Sequence, residues 1–133
     1  MKLIAAKHIA TEEMEQFIQT AQHVEQKHLL KEGYVVKMND EIKGCFVLSS
    51  IEKDKYWLKQ MYIAQDVAAS LPVLLETIIV LVKELEAEKL IVHSHQPVLD
   101  MILDALQFHQ QEHAQIVDKP MRKQGNWWAY EVS

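Results

Sequence analysis

"YIAQDVAASLPVLLETIIVLV", Tyr62 to Val82, runs from a strand-like segment through a short polar break into a long apolar helix. A strand that leads through a loop into a helix start is a ready place for a phosphate. The first amides of the helix lack intrahelical partners, and that end of its dipole is positive. Loops of this kind commonly use glycine so that the backbone can close on the anion with φ > 0, yet this one contains none. Pro72 belongs in the first helical turn, where its missing N–H costs nothing, with Ser70 or Leu71 as the cap. The apolar pattern then carries the helix to about Lys89.

Outward from this joint, "LIVHS" reads as a short strand, and "HQPVLD" repeats the Pro-Val-Leu opening of "SLPVLL" before a second helix. Upstream, "YVVKM", "IKGCFVLSSI" and "YWLKQMYI" are three strands, the first two joined by a tight turn at "NDE". "KLIAAKHI" is a first strand. A helix starts at Thr11 with Glu12 and Glu13 in its first turn, and Met14, Phe17, Ile18, Ala21 and Val24 recur at helical spacing. That helix, or two helices broken near His23, runs toward a stop at Gly33. "AQIVDKPM" and "NWWAYEV" read as two closing strands. The order predicts one α+β domain over residues 1–133, a mixed, mostly antiparallel sheet flanked by helices. A right-handed βαβ unit links the strand near Tyr62 to the strand near Val92.

Composition narrows the classes. The 133 residues are 49% hydrophobic and 25% charged, as expected for a folded chain with its own core. A net charge of −5 with scattered basic residues opposes a phosphate-backbone binder, so no nucleic-acid partner is expected. Cys45 is the sole cysteine, so no intramolecular disulfide can form, and a buried thiol in a reducing cytoplasm fits. The N-terminus lacks a secretory core. The apolar run Leu71–Val82 is short for a membrane span and contains Glu76, so no membrane partner is expected either.

The order of elements resembles the GNAT superfamily, the acetyl-CoA-dependent N-acetyltransferases, across nearly the whole chain. "NDEIKGCFVL" resembles the family's hairpin in which a hydrophobic residue, any residue and Gly precede an apolar strand. "MYIAQD" with "LPVLLETIIVLVKEL" resembles its central strand and cofactor helix, and "LIVHSHQPVLDMILDALQFHQQ" its next strand and the helix that ends in Leu-Gly-Phe. The resemblance implies that acetyl-CoA is a co-substrate. It implies that Met61, Tyr62 and Ile63 present backbone groups to the pantetheine arm, and that Ala68, Ala69 and Ser70 lie at the pyrophosphate.

Two departures stand out. The family's loop reads Arg or Gln, two residues, Gly, one residue, Gly or Ala, whereas "QDVAAS" supplies neither glycine nor arginine, and Asp66 would repel a diphosphate. If the loop needs φ > 0, Ala and Ser adopt it only at a cost. Leu106, Gln107 and Phe108 align with Leu-Gly-Phe, which puts Leu103 where many members carry a proton-donating tyrosine and Gln96 in place of a frequent Asn.

Other residues have a bland and a sharp reading. His93 and His95 alternate onto one strand face, and His93 is the candidate base for an acceptor ammonium, although ordinary strand-end polarity explains both. His109 and His113, four apart in "HQQEH", have metal-ligand spacing on a helix but no third ligand, so no metal site is assigned. In "NWWAY" one tryptophan belongs to the core, and the other lines a groove or a dimer edge unless a helix covers it. The first turns of the helix after Pro72 are apolar nearly all round, beyond what one sheet face needs.

Two functions follow. One is a cytoplasmic N-acetyltransferase that moves an acetyl group to a primary amine of a small molecule or protein. The other is a catalytically inactive module of the same fold that acts through a protein partner or as a homodimer.

Overall fold

The computed structural model describes residues 1–21, 24–52, 54–111 and 125–132. In chain order these form β1 (Lys2–Ala5), α1 (Thr11–Thr20), α2 (Gln26–Glu32), β2 (Gly33–Met38), β3 (Glu41–Glu52) and β4 (Lys55–Ile63). Then come α3 (Leu71–Glu84), β5 (Lys89–Ser94), α4 (Pro97–Ala105), β6 (His109–Gln111) and β7 (Asn126–Glu131), with 3-10 turns at Ala6–His8 and Gln65–Ser70. Seven strands of a mixed sheet and four α-helices make the α+β fold that the order of elements predicts. The strand expected over "AQIVDKPM" lies outside the described residues, as does His23, where a helix break was placed. The fold divides into two compact units, Met1–Ser49 with Leu58–Leu71, and Ser50–Trp57 with Pro72–Ser133.

In the first unit β1 pairs antiparallel with β2 (Leu3 opposite Val36) and β2 with β3 (Val35 opposite Cys45). The turn between β2 and β3 is made by Asn39 (φ 53°) and Asp40 (φ 66°). Left-handed conformations at both central positions match the twist of the flanking strands, and Asn and Asp tolerate them better than other side-chain-bearing residues. β1 is shorter than "KLIAAKHI" suggests, because the chain turns at Ala6, whose carbonyl accepts the Ile9 N–H at 3.1 Å. Met14, Phe17 and Ala21 of the α1 segment, Val24, and Leu29 of α2 bury their side chains with Val35, Cys45 and Val47 of the sheet. The helical spacing read from the sequence is therefore the core stripe.

In the second unit β7 lies between β5 and β6, antiparallel to both, with Ile91 opposite Ala129 and His93 opposite Trp127. Ile91, Trp127 and Ala129 form one cluster, with Ile51 and Trp57 packed on it. Trp128 is also buried, and its indole N–H donates to Asp100 Oδ1 of α4 at 2.8 Å. Neither tryptophan therefore lines a groove or an edge. Asp100 also accepts from Asn126 Nδ2 at 3.2 Å, so one carboxylate ties α4 to two positions of β7, and bonds to charged groups contribute about 1.5–3 kcal/mol each.

α3 stops at Glu84, short of Lys89. The Ala87 N–H donates to Val82 O and the Glu86 N–H to Lys83 O, both at 3.0 Å, with Glu86 left-handed at φ 60°. This 6→1 and 5→2 pair is the Schellman stop, here without its usual glycine, so periodicity alone overran it. Leu74, Leu75, Ile78, Ile79 and Val82 are buried, whereas Val73 and Val80 are each 53% exposed. Together with the preceding 3-10 turn, α3 makes a 20-residue segment apolar enough to cross a membrane by length and composition alone. In this fold Val67 (φ −123°, ψ 18°) breaks it, and the buried residues of α3 belong to the core.

Cys45 is fully buried, and burial pushes its thiol up to about 12. The nucleophile in alkylation is the thiolate. Native protein at pH 8 is therefore expected to resist iodoacetamide, with stoichiometric labelling only in denaturant, as read by mass spectrometry.

Candidate functional site

The residues assigned to the pantetheine and pyrophosphate all fall in the first unit, at the end of β4 and in the turn after it. β3 approaches β4 very closely there. A Cβ built on Gly44 would lie 2.6 Å from the Tyr62 carbonyl oxygen, so only glycine permits the approach. The Ala64 N–H donates to Lys43 O at 2.7 Å and fixes where β4 ends. Tyr62 turns its ring edge-on to Phe17, centroids 5.9 Å apart, and joins the core under α1. The Tyr62 side chain is thus committed to packing.

Gln60, just before that stretch, adopts φ 53° inside β4 and breaks the pleat as a bulge does. Left-handed backbone at such a residue costs on the order of 1–3 kcal/mol and persists only where the surroundings hold it. Here the Gln60 carboxamide oxygen accepts the N–H of Glu25, the residue that caps α2, at 3.1 Å. Its nitrogen lies 3.2 Å from His28 Nδ1, which is also 3.3 Å from Glu25 Oε2. A β4 side chain therefore caps α2, and α2 in turn holds the bulge. Two adjacent polar residues in "WLKQM" were the sequence signal for this break, since they interrupt strict alternation.

The turn answers the glycine question. No residue from Gln65 to Ser70 has a positive φ, because the segment closes as a right-handed 3-10 turn that runs directly into α3. The strain expected of Ala and Ser does not arise. Ala68 and Ala69 are exposed and Ser70 is half-buried. This closure has its own chemical cost, since a 3-10 turn spends its amides on i→i+3 bonds. The Val67 N–H goes to Ala64 O and the Leu71 N–H to Ala68 O.

Asp66, in the same turn, is paired. Lys43 Nζ lies 2.8 Å from Asp66 Oδ2 and 3.3 Å from Glu41 Oε2. The hydrogen bond to Asp66, then that to Glu41, raises the lysine, and the bond to Lys43 lowers the Asp66 carboxyl. A lowered acid stabilises the fold above its unfolded value and a raised base does so below its own. The pair therefore persists from the carboxylate range up to the lysine range, and is lost as the pH falls through the lowered acid or rises through the raised base. Sequence reading missed Lys43, although it is the variable residue of the Ile42-Lys43-Gly44 triplet.

His93 lies in the second unit. Its ring sits 4.7 Å from that of Trp127 and 6.1 Å from that of exposed His95. Gly125 (φ 96°) comes so close that a Cβ there would stand 2.8 Å from His93 Nε2. The imidazole is thus oriented by a tryptophan face and a glycine backbone. His109 opens β6 instead of ending a helix, which removes the helical premise of the His109/His113 pairing, and His113 lies outside the described residues.

At the end of α4 the Phe108 N–H donates to Leu103 O at 2.9 Å and the Gln107 N–H to Asp104 O at 3.0 Å, with Gln107 at φ 72°. Leu-Gln-Phe is thus a second Schellman stop, with glutamine at the left-handed position. Leu103 and Phe108 are both buried, as the hydrophobic contact of that motif requires. Leu103 is core, and a leucine donates no proton. Gln96 caps α4 by backbone alone, tied to the buried Ser94, whose hydroxyl donates to Gln96 O at 3.1 Å.

Solved structures share this fold over nearly the entire chain. A GNAT-family acetyltransferase from Staphylococcus aureus Mu50 matches with TM-score 0.71 and 12% identity, covering 99% of both chains. The N-acetyltransferase PseH from Campylobacter jejuni matches with TM-score 0.73 and 15% identity over 99% of this chain and 98% of that one. Its complex with acetyl coenzyme A matches with TM-score 0.72 and 14% identity over 99% of both. No family model matches the sequence, and no curated protein matches it. The fold is that of the GNAT acetyltransferases.

Gln107→Gly places the residue type suited to φ > 0 at the α4 stop and is expected to raise stability by about 1 kcal/mol, measured by urea unfolding. An unchanged or lower midpoint would show that Gln107 pays no conformational penalty there.

Proposed function

We propose that residues 1–133 work as an N-acetyltransferase domain that moves an acetyl group from acetyl-CoA to a primary amine. The observation that carries this reading is the end of β4. There the left-handed Gln60, the glycine-enforced contact of β3 with Tyr62 and the packing of the Tyr62 ring on Phe17 fix the course of Met61–Ile63, which leads through one turn into α3. An amide-bearing arm such as pantetheine pairs with such a backbone as an added strand does.

In the proposed reaction the neutral amine attacks the thioester carbonyl carbon. The C–N bond forms as the C–S bond breaks, the thiolate departs with CoA, and the ammonium formed on nitrogen loses its proton. The amide near Ile63 polarises the carbonyl, the kind of aimed donor that stabilises an oxyanion. The incoming ammonium releases its proton to water before attack, and the nitrogen of the intermediate releases its proton the same way. Leu103 supplies no acid, so the thiolate takes its proton from solvent, and the roughly 10²–10⁴-fold that a positioned acid contributes is forgone. The loop conformation also bears on the inactive-module reading. The absent glycines and the Leu103 position are what favour it, and a turn without positive φ has no need of the glycines.

Isothermal titration with acetyl-CoA and with CoA tests the proposal without knowledge of the amine. Saturable binding is expected, with a melting temperature that rises with ligand, since 100-fold excess over Kd adds about 2.7 kcal/mol. Absence of heat and of any melting shift at millimolar ligand would refute it.

A further inference from the structure

Resting on the acetyl-CoA reading, we infer that Lys43 is the cation for the donor's diphosphate and that Asp66 occupies it until the diphosphate arrives. The turn after β4 lacks the arginine and glycines that would draw an anion, and its 3-10 closure spends amides internally. Any anion bound beside it needs a charge from another element.

Lys43 is placed to supply one. Its carbonyl is held by the Ala64 N–H at 2.7 Å, so its backbone is locked to the first residue before the turn. Its ammonium already reaches the turn, 2.8 Å from Asp66 Oδ2. An exposed carboxylate on that turn therefore holds the ammonium that an anion docking at the turn would meet.

The pair is unequal in a way that permits exchange. The Lys43 side chain is 24% exposed and that of Asp66 is 62% exposed. Rotation about the Asp66 side chain bonds moves the carboxylate into water without changing the backbone of the turn. A single carboxylate of a competing metabolite brings no more charge than Asp66 and gains little by displacing it. A diphosphate brings several oxygens and a greater negative charge, so it wins the ammonium where a monoanion does not. With Glu41 and Asp66 beside one lysine, the cluster carries a net −1 before exchange. Asp66 thus sets both a threshold for binding and a preference for polyanionic donors.

The test is calorimetric titration of wild type, Asp66→Asn, Lys43→Met and the double variant with acetyl-CoA and with acetyl-pantetheine, which lacks the diphosphate. For acetyl-CoA, Asp66→Asn is expected to tighten binding about tenfold and Lys43→Met to weaken it about tenfold, with the Asp66→Asn gain lost in the double variant. Acetyl-pantetheine is expected to respond to neither change. The inference is overturned, with the acetyl-CoA reading intact, if wild type binds acetyl-CoA but Asp66→Asn binds no tighter, or if both donors shift alike. If no variant binds acetyl-CoA, both fall together. Asp66→Asn is a gain of affinity, so a destabilised Lys43→Met cannot mask the outcome.

Discussion

The backbone of β3 meets that of β4 at Gly44, closer than any side chain allows, and the neighbouring Ala64–Lys43 hydrogen bond sets the point at which β4 ends. Much of the first unit follows from that contact. It places Tyr62 with its ring in the core and its backbone committed to the strand end, it starts the turn at Gln65, and it delivers the Lys43 ammonium to Asp66. A Cβ at Gly44 would require the strands to part, and each of those positions would shift with them.

Left-handed backbone is distributed in this protein in an unexpected way. Among the described residues it is absent from the turn where the sequence invites it and present, besides Gly125, at Asn39, Asp40, Gln60, Glu86 and Gln107. Two of those are the stops of α3 and α4, where glycine is the usual choice, and one, Gln60, directly precedes Met61–Ile63. Of the chain's three glycines only Gly125 has a positive φ, and those side-chain-bearing residues adopt one instead. Stability is thus traded at helix ends, while the turn before α3 keeps an unstrained path.

The fold was legible because apolar spacing and element order are properties of the chain itself. Met14, Phe17 and Ala21 are the buried stripe their spacing predicts, and the Pro72 helix starts where its proline places it. The site was legible only in outline. Whether "QDVAAS" closes with positive or negative φ depends on the partners of Ala64 and Val67, and no composition rule contains those. The break at Gln60 shows in the sequence but the partners of Gln60 and Lys43 do not, since each lies 23 or more residues away: Glu25 and His28 for the first, Asp66 for the second. The ends of α3 and α4 were overrun or left open because glutamate and glutamine do not announce a Schellman stop.

The central claim is that the Met61–Ile63 backbone receives the acyl donor. Amide-resolved NMR during titration with acetyl-CoA tests it most directly. The account predicts that the amides of Met61, Tyr62 and Ile63 shift along one saturation curve and gain protection from hydrogen exchange in the complex. Saturable binding that leaves those three amides unmoved and equally exchangeable would contradict it.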